Sequence, residues 1–371
     1  MRGEESAAPE ERRKTPAAGL GWRKESVAGR PEKAPIILLH GFAQTPASWD
    51  GVARILQGQG RRTYAPNLFE PESGLALRAC DCGEALTAPG DAAYGRAGGP
   101  TGDLAGDPAR DVADSPTGDP INHPIADKPT SDPTSRLTSD PAIRPTSHSV
   151  ADPLASMGAV CDRVAAIVRL VAAAEGAPVL VGYSMGGRIA AETMVCHPGL
   201  PLAGLVLESA GLGPADDAAR AALARRNGEW AARLREGGVA AFMDWWETLP
   251  LFATQRELPP ATRAAIRADR EAHGAETLAR SLEAWGAHHQ AAESETVAAL
   301  AQMRVAGRPV LYLAGSCDEK YAVLAAHVRA AGLPAMLVEG AGHNVHLEKP
   351  EVFSRAIAQL AGAPPSGPSP S

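Results

Sequence analysis

Short apolar runs alternate with helical patterns in two stretches of the chain, residues 34–72 and 154–361. Runs of consecutive apolar residues predict buried strands over 35–39, 62–65, 178–183, 203–207, 310–314 and 335–338. Apolar residues at helical spacing predict helices over 49–57, 159–174, 186–196, 323–331 and 350–360. This alternation predicts an α/β fold with a mostly parallel sheet flanked by helices, because parallel neighbours need crossover connections.

One long helical region interrupts the alternation. Residues 214–302 have a helical pattern throughout and contain most of the tryptophans. Ligands of open α/β sheets bind outside the carboxyl ends of the strands, so we expect this region to form a helical cap over that edge. The core then consists of residues 34–72, 154–213 and 303–361.

Three segments lack the apolar content of a core, and we expect them to be disordered. They are an N-terminal tail (1–33), an Asp/Pro-rich insertion (73–153) and a C-terminal tail (362–371). Residues 71–153 contain 13 Asp and Glu against 6 Arg and Lys, which accounts for the whole net charge of −7. The rest of the chain is neutral and has no basic face, which argues against nucleic-acid binding.

Composition also bears on the compartment. The five cysteines are odd in number and scattered, which is typical of reduced thiols rather than a disulfide framework. The first 30 residues contain charges of both signs and no apolar run, and no stretch approaches 18 apolar residues. We therefore expect a cytoplasmic protein without a membrane span.

A nucleophile motif lies between a predicted strand and a predicted helix. Gly182-Tyr183-Ser184-Met185-Gly186 fits Gly-x-Ser-x-Gly, in which a sharp turn exposes the serine and the glycines allow close backbone packing. The alternative is a glycine-rich turn that contains an incidental serine.

Two further residues complete a possible catalytic triad. A serine hydroxyl needs a histidine to take its proton and an acid to orient that histidine. Asp318 and His343 each follow a predicted strand, in the chain order expected of this architecture. Taken singly, Asp318 is also a reasonable helix N-cap and His343 a turn residue; Glu319 is a weaker candidate for the acid.

An oxyanion hole needs two backbone N–H groups directed at the developing charge. Phe42, after the first strand, and Met185, after Ser184, are placed to supply them. His40 is then more reasonably structural, because His343 already fills the role of base.

Several motifs together resemble the α/β-hydrolase fold and, within it, the 2-succinyl-6-hydroxy-2,4-cyclohexadiene-1-carboxylate synthases of menaquinone biosynthesis. The matching runs are Leu-His-Gly-Phe (39–42), Gly-Tyr-Ser-Met-Gly-Gly-Arg (182–188), Glu-Ser-Ala-Gly-Leu (208–212), Trp-Glu-Thr-Leu-Pro-Leu-Phe (246–252), Asp-Glu-Lys-Tyr (318–321) and Ala-Gly-His-Asn-Val-His-Leu-Glu (341–348). The first and last runs are partly generic to the fold, and the others are more specific.

The resemblance implies a lyase that eliminates pyruvate from a cyclohexene bearing an enolpyruvyl group, with Ser184 as the base. A substrate with several carboxylates calls for cationic, preferably bidentate, partners. Arg188 lies one helical turn after Ser184. The family pattern adds substrate-binding roles that the resemblance assigns to Tyr183, Arg220, Trp246, Arg270 and Gln290.

Other interpretations remain open. Arginines in a helical cap are usually solvated, and of the adjacent Trp245 and Trp246 at most one lines the cleft. His288 and His289 fit surface positions, and we expect no metal or other cofactor. The rival functions are a serine hydrolase acting on esters or C–C bonds with the same triad, and a silent binding module that uses the insertion.

Overall fold

The computed structural model describes residues 33–70 and 152–362. Within these residues six strands form one sheet: β1 (Ile36–Leu39), β2 (Thr63–Tyr64), β3 (Val179–Tyr183), β4 (Gly204–Glu208), β5 (Val310–Gly315) and β6 (Ala335–Val338). Every neighbouring pair is parallel, in the order β2-β1-β3-β4-β5-β6. The predicted parallel sheet is therefore confirmed, and each predicted strand has its counterpart.

Helices cover both faces of the sheet. On one face α1 (Asp50–Gly58) and α10 (Pro350–Gly362) bury Val52, Leu56, Phe353 and Ile357. On the other face lie α2 (Met157–Glu175), α3 (Met185–Cys196), α7 (Glu293–Val305) and α8 (Glu319–Ala330). Side chains of β1 alternate between the two cores: Ile36 and Leu38 enter the first, Ile37 and Leu39 the second. Fully buried strands explain the continuous apolar runs in the sequence.

The cap consists of helices that follow β4. It contains α4 (Asp217–Trp246), α5 (Pro260–Arg270), α6 (Ala275–Ala284) and the 3-10 turns Pro250–Phe252, Thr254–Glu257 and Ala287–His289. The long α4 is kinked at Gly238, whose φ of 73° suits glycine. Most of α7 (Glu293–Val305) falls within the predicted cap, 214–302, but this helix packs against α3 beside the sheet.

The helix that follows β5 begins earlier than the sequence pattern predicts. α8 begins at Glu319, four residues before the predicted start, because the Asp318 side chain caps it by accepting a hydrogen bond from the Tyr321 N–H. A short helix, α9 (Val345–Glu348), separates β6 from α10.

The predicted insertion and tails lie outside the described residues except at their borders. The insertion's last two residues, Asp152 and Pro153, belong to the described fold. Asp152 pairs with Arg280 at 2.5 Å, and the Pro153 carbonyl accepts a hydrogen bond from Trp285 Nε1 at 2.9 Å. These contacts attach residues 152 and 153 to α6 and to the residue that follows it. In the described part of the chain, no helix is long and apolar enough to cross a membrane.

Candidate active site

Ser184 occupies a strained turn between β3 and α3. Its φ of 47° lies in the left-handed region, which non-glycine residues seldom adopt. The turn brings two backbones together: a Cβ on Gly186 would lie 2.3 Å from the Leu39 carbonyl oxygen. Glycine is therefore required beside the serine. This conformation presents the serine hydroxyl at the edge where the strands end.

The three residues proposed as a triad lie together. The Ser184 Oγ lies 3.1 Å from His343 Nε2, and His343 Nδ1 lies 2.7 Å from Asp318 Oδ2. Both His343 and Asp318 are almost fully buried. The two carboxylate oxygens of Asp318 have different partners. Oδ1 accepts the hydrogen bond that caps α8, and Oδ2 lies beside His343 Nδ1. Glu319, the alternative acid, is exposed. The arrangement is suited to proton transfer between Ser184 and His343.

Aromatic rings enclose the His343 imidazole. Its centroid lies 5.3 Å from Tyr183, 4.9 Å from Tyr321 and 6.1 Å from Phe252. Burial raises the pKa of Tyr183 well above its usual value, so its hydroxyl stays protonated. Tyr321 and Phe252 belong to motifs quoted above, but the sequence analysis gives neither a role.

The two predicted oxyanion-hole residues lie at the same edge of the sheet. Phe42 follows β1, and Met185 begins α3 directly after Ser184. Within the described residues, neither backbone N–H donates to another group. The Phe42 ring packs against Trp246, with centroids 5.4 Å apart. This contact places Trp246, and not Trp245, over the end of β1; Trp245 instead packs against Trp230 and Arg233.

Arg188 is a half-buried cation. Its Nη1 donates to the Trp285 carbonyl at 2.6 Å, and no described carboxylate forms an ion pair with it. Burial lowers the pKa of its guanidinium to about 10. Partly buried charges usually have a counter-charge, and the described residues supply none to this guanidinium.

The other predicted arginines already have partners. Arg220 donates to the carbonyls of His288 and Gln290, and so holds a turn of the cap together. Arg270 is buried, pairs with Glu247 at 2.7 Å, donates to Gln255 at 2.7 Å and lies over the Phe252 ring. Gln290 is also buried and donates to the Gly211 carbonyl. These contacts give Arg220 and Gln290 a visible structural task.

A cavity of about 390 Å³ lies beside Arg270. Phe252, Gln255 and three further arginines line it, Arg256, Arg263 and Arg267. Phe252 is shared between this cavity and the surroundings of His343. The Gln255 Oε1 faces the donating Arg270, which leaves its buried Nε2 without an acceptor in the described residues. Glu247 also lines the cavity and pairs with Arg267 and Arg270, so part of its arginine charge is already matched.

His288 and His289 are predicted to be surface residues rather than ligands, and His288 is partly exposed. It is half-buried, lies 3.1 Å from the Asn227 side chain and has a pKa lowered to about 4 by burial. His289 is exposed, as expected. His40 is fully buried; its Nε2 accepts from the Leu68 N–H at 3.0 Å, so it holds the loop after β2. That contact agrees with a structural role.

The His343 loop is also held by residues that the sequence analysis missed. Glu348 Oε2 accepts from the Gly342 N–H at 2.7 Å, and Thr254 of the cap donates to Glu348 Oε1 at 3.0 Å. Glu208 contacts His346, three residues after His343. Glu208, His346 and Glu348 lie within the quoted motifs without a predicted role, and Thr254 lies outside them. Among the described residues, no cluster of three or more His, Cys, Asp or Glu has the geometry to hold a metal ion.

A strained serine at a strand–helix turn, with an Asp–His pair at the neighbouring strand ends, is the site architecture of one family. A family model described as "Alpha/beta hydrolase family" matches residues 36–356. The chain belongs to the alpha/beta hydrolase family. Its similarity to 2-succinyl-6-hydroxy-2,4-cyclohexadiene-1-carboxylate synthases is also confirmed: those of Salmonella newport (strain SL254) and Salmonella enteritidis PT4 (strain P125109) are each 38% identical over 183 residues, 49% of this chain and 67% of theirs.

Solved structures agree on the fold. MenH from S. aureus superposes with a TM-score of 0.59 at 18% identity, covering 89% of this chain and 94% of that one. A malate-bound thermophilic esterase from Thermogutta terrifontis gives a TM-score of 0.52 at 19% identity, covering 87% and 88%. Since MenH and an esterase share this alpha/beta hydrolase fold, the fold alone does not identify the reaction.

Proposed function

We propose that this protein is a lyase that eliminates pyruvate from 2-succinyl-5-enolpyruvyl-6-hydroxy-3-cyclohexene-1-carboxylate. The product is 2-succinyl-6-hydroxy-2,4-cyclohexadiene-1-carboxylate, an intermediate of menaquinone biosynthesis. The named Salmonella relatives support this reaction. Ester hydrolysis by the same three residues is the second candidate.

The observation that carries the proposal is Arg188. It lies half-buried on the helix that starts after Ser184, with a backbone carbonyl as partner and no described carboxylate. A substrate carboxylate one helical turn from the serine would supply the missing counter-charge. An ordinary ester has no such group. The cavity beside Phe252 is lined by four arginines and Glu247, which pairs with Arg267 and Arg270, so Arg256 and Arg263 are the arginines there without a carboxylate partner among the described residues.

The proposed reaction begins with proton removal from the ring carbon that bears the succinyl group. Ser184 Oγ takes this proton while His343 Nε2 takes the hydroxyl proton, and Asp318 stabilises the resulting imidazolium. The C–H electrons form a new ring double bond, the existing one shifts, and the C–O bond to the enolpyruvyl group breaks. The departing enolate takes up a proton and becomes pyruvate. The N–H groups of Phe42 and Met185 would stabilise charge on the succinyl carbonyl.

The test is pyruvate release by the purified protein, with substrate generated in place by the preceding pathway enzymes. We expect fast release that Ser184→Ala lowers at least about a thousandfold. Ser354→Ala, which alters a buried serine of α10, is the matched control and should leave release unchanged. Parallel assays use p-nitrophenyl esters. Efficient ester cleavage without pyruvate release above the spontaneous rate would reject the lyase and favour the hydrolase.

A further inference from the structure

A second carboxylate–histidine pair lies behind the proposed triad. Glu208, the last residue of β4, and His346, in α9, are both fully buried. Glu208 Oε1 accepts from the His346 backbone N–H at 2.9 Å, and Oε2 lies 2.7 Å from His346 Nδ1. One carboxylate therefore fixes both the backbone and the ring of His346.

The same glutamate also contacts the serine turn. The Glu208 backbone carbonyl accepts a hydrogen bond from the Ser184 N–H at 2.8 Å. Glu208 thus joins, within one residue, the turn that presents Ser184 and the segment that follows His343 by three residues. Ser209, next in the chain, has a φ of 46°, so the backbone turns sharply directly after this contact.

Stacked rings leave the pair little freedom. Trp49 lies parallel to the His346 ring, with centroids 3.8 Å apart and planes at 22°. Tyr183 stands between the two histidines, 4.9 Å from His346 and 5.3 Å from His343. A buried polar pair rarely adds stability over an apolar one of equal size. The Glu208–His346 pair contacts both the turn that presents Ser184 and the segment that follows His343. This position indicates that the pair fixes the geometry of the two catalytic candidates.

We propose that Glu208 and His346 are positioning residues that hold His343 Nε2 within hydrogen-bond distance of the Ser184 hydroxyl. This inference rests on the proposed roles of Ser184 and His343. Glu348 fixes the loop before His343 through Gly342, and Glu208 fixes it after His343 through His346. A displacement of about 1 Å at a reacting pair can cost on the order of a hundredfold in rate.

The experiment measures phosphonylation of Ser184 by a fluorophosphonate, which needs no knowledge of the natural substrate. The Oγ–P bond forms, the P–F bond breaks with loss of fluoride, and the hydroxyl proton passes to His343. The limiting rate at saturating reagent reports the Ser184–His343 geometry. Reagent affinity and the melting temperature, measured separately, report binding and folding. The labelled fraction corrects for unfolded protein.

We expect Glu208→Ala to lower the limiting rate about a hundredfold with reagent affinity unchanged. Glu208→Gln should recover to within about tenfold of wild type, because its amide still accepts from the His346 N–H and can donate to Nδ1 of the other tautomer. Glu175→Ala, which removes another buried, hydrogen-bonded glutamate, is the matched control and should leave the rate unchanged.

Several results would overturn the inference. They are a folded Glu208→Ala that labels at the wild-type rate, a Glu208→Gln that loses as much as Glu208→Ala, or a wild-type protein that does not label. If Glu208→Ala does not fold, His346→Phe decides: it keeps ring stacking on Trp49 but removes the Nδ1 contact, and an unchanged rate would reject the role. Normal labelling without pyruvate release would instead reject only the proposed reaction.

Discussion

The carboxyl edge of the sheet and the helical cap hold their polar side chains in different ways. At the edge, Ser184, Asp318 and His343 each follow a strand, and they meet at 3.1 Å and 2.7 Å. In the cap, Arg220 and Arg270 are held by a turn and by Glu247. The position of a residue at a strand end is fixed by the register of the strands. The contacts of a cap side chain depend instead on how the cap helices pack.

This difference separates residues suited to chemistry from residues suited to packing. At the edge, Ser184 and Arg188 are both half-buried, and no described carboxylate pairs with the arginine. The cap arginines mostly satisfy the cap itself. Arg188, which is predicted to bind substrate, lies at the edge of the sheet and not in the cap, because α3 starts at the serine turn. We therefore expect edge substitutions to alter rate and most cap substitutions to alter stability.

The largest effect on turnover is expected at Asp318, the proposed acid of the triad. Asp318→Asn keeps the volume but favours the wrong histidine tautomer, and we expect it to lower the turnover number about ten-thousandfold. Glu319→Gln, one residue away and exposed, is the control and should leave turnover unchanged. Steady-state kinetics of both proteins measure this. Equal losses would show that Asp318 does not orient His343.

Arg188 and Arg220 test the comparison directly. Arg188→Gln should lower kcat/KM for pyruvate release about a hundredfold or more, because a buried substrate carboxylate loses its cation. Arg220→Gln, which loses donors to two cap carbonyls, should chiefly lower the melting temperature. Kinetics and thermal unfolding of both variants distinguish the outcomes. Normal turnover by Arg188→Gln would refute a polyanion pocket at the edge.

The free energy of unfolding should depend on pH through His40, a fully buried histidine that follows β1. Burial lowers the pKa of His40 from 6.5 to about 4, so between those values the unfolded chain binds a proton that the folded protein does not. Stability should fall as pH drops through this window, by about 3 kcal/mol at pH 4 from this residue, and show no such effect above pH 7. Urea unfolding at pH 7 and pH 4.5 measures it.

The matched variants for this pH window are His40→Gln and His289→Gln. The first should lose part of the acid sensitivity, because its side chain does not titrate. His289 is exposed in the cap, and its replacement should leave the sensitivity intact. An unchanged slope in His40→Gln would contradict the burial argument.

The smallest effect is expected on the cap surface. Arg235 bridges Glu276 and Glu283 and so links α4 to α6, but all three side chains are well exposed to solvent. Exposed ion pairs contribute about 0–1 kcal/mol, less in high salt. Arg235→Ala should therefore lower the free energy of unfolding by at most about 1 kcal/mol, measured by urea titration at two salt concentrations. A loss several times larger would show that the cap depends on surface pairs.

The sequence alone determined the parallel sheet, the serine turn and the order of Ser184, Asp318 and His343. These are local signals, because an apolar run specifies a buried strand and parallel strands end at one edge. The start of α8 was predicted too late because the Asp318 cap was weighed only as an alternative to catalysis, while its carboxylate makes both contacts.

Only the tertiary structure decided which polar groups meet across the chain. Glu208 and His346 are 138 positions apart, and no spacing in the sequence pairs them. The same holds for Arg220 with His288 and for Arg270 with Gln255. Strand ends are placed by backbone hydrogen bonds that repeat along a sheet. Cap partners depend on side-chain packing between helices, which follows no repeat that a single sequence displays.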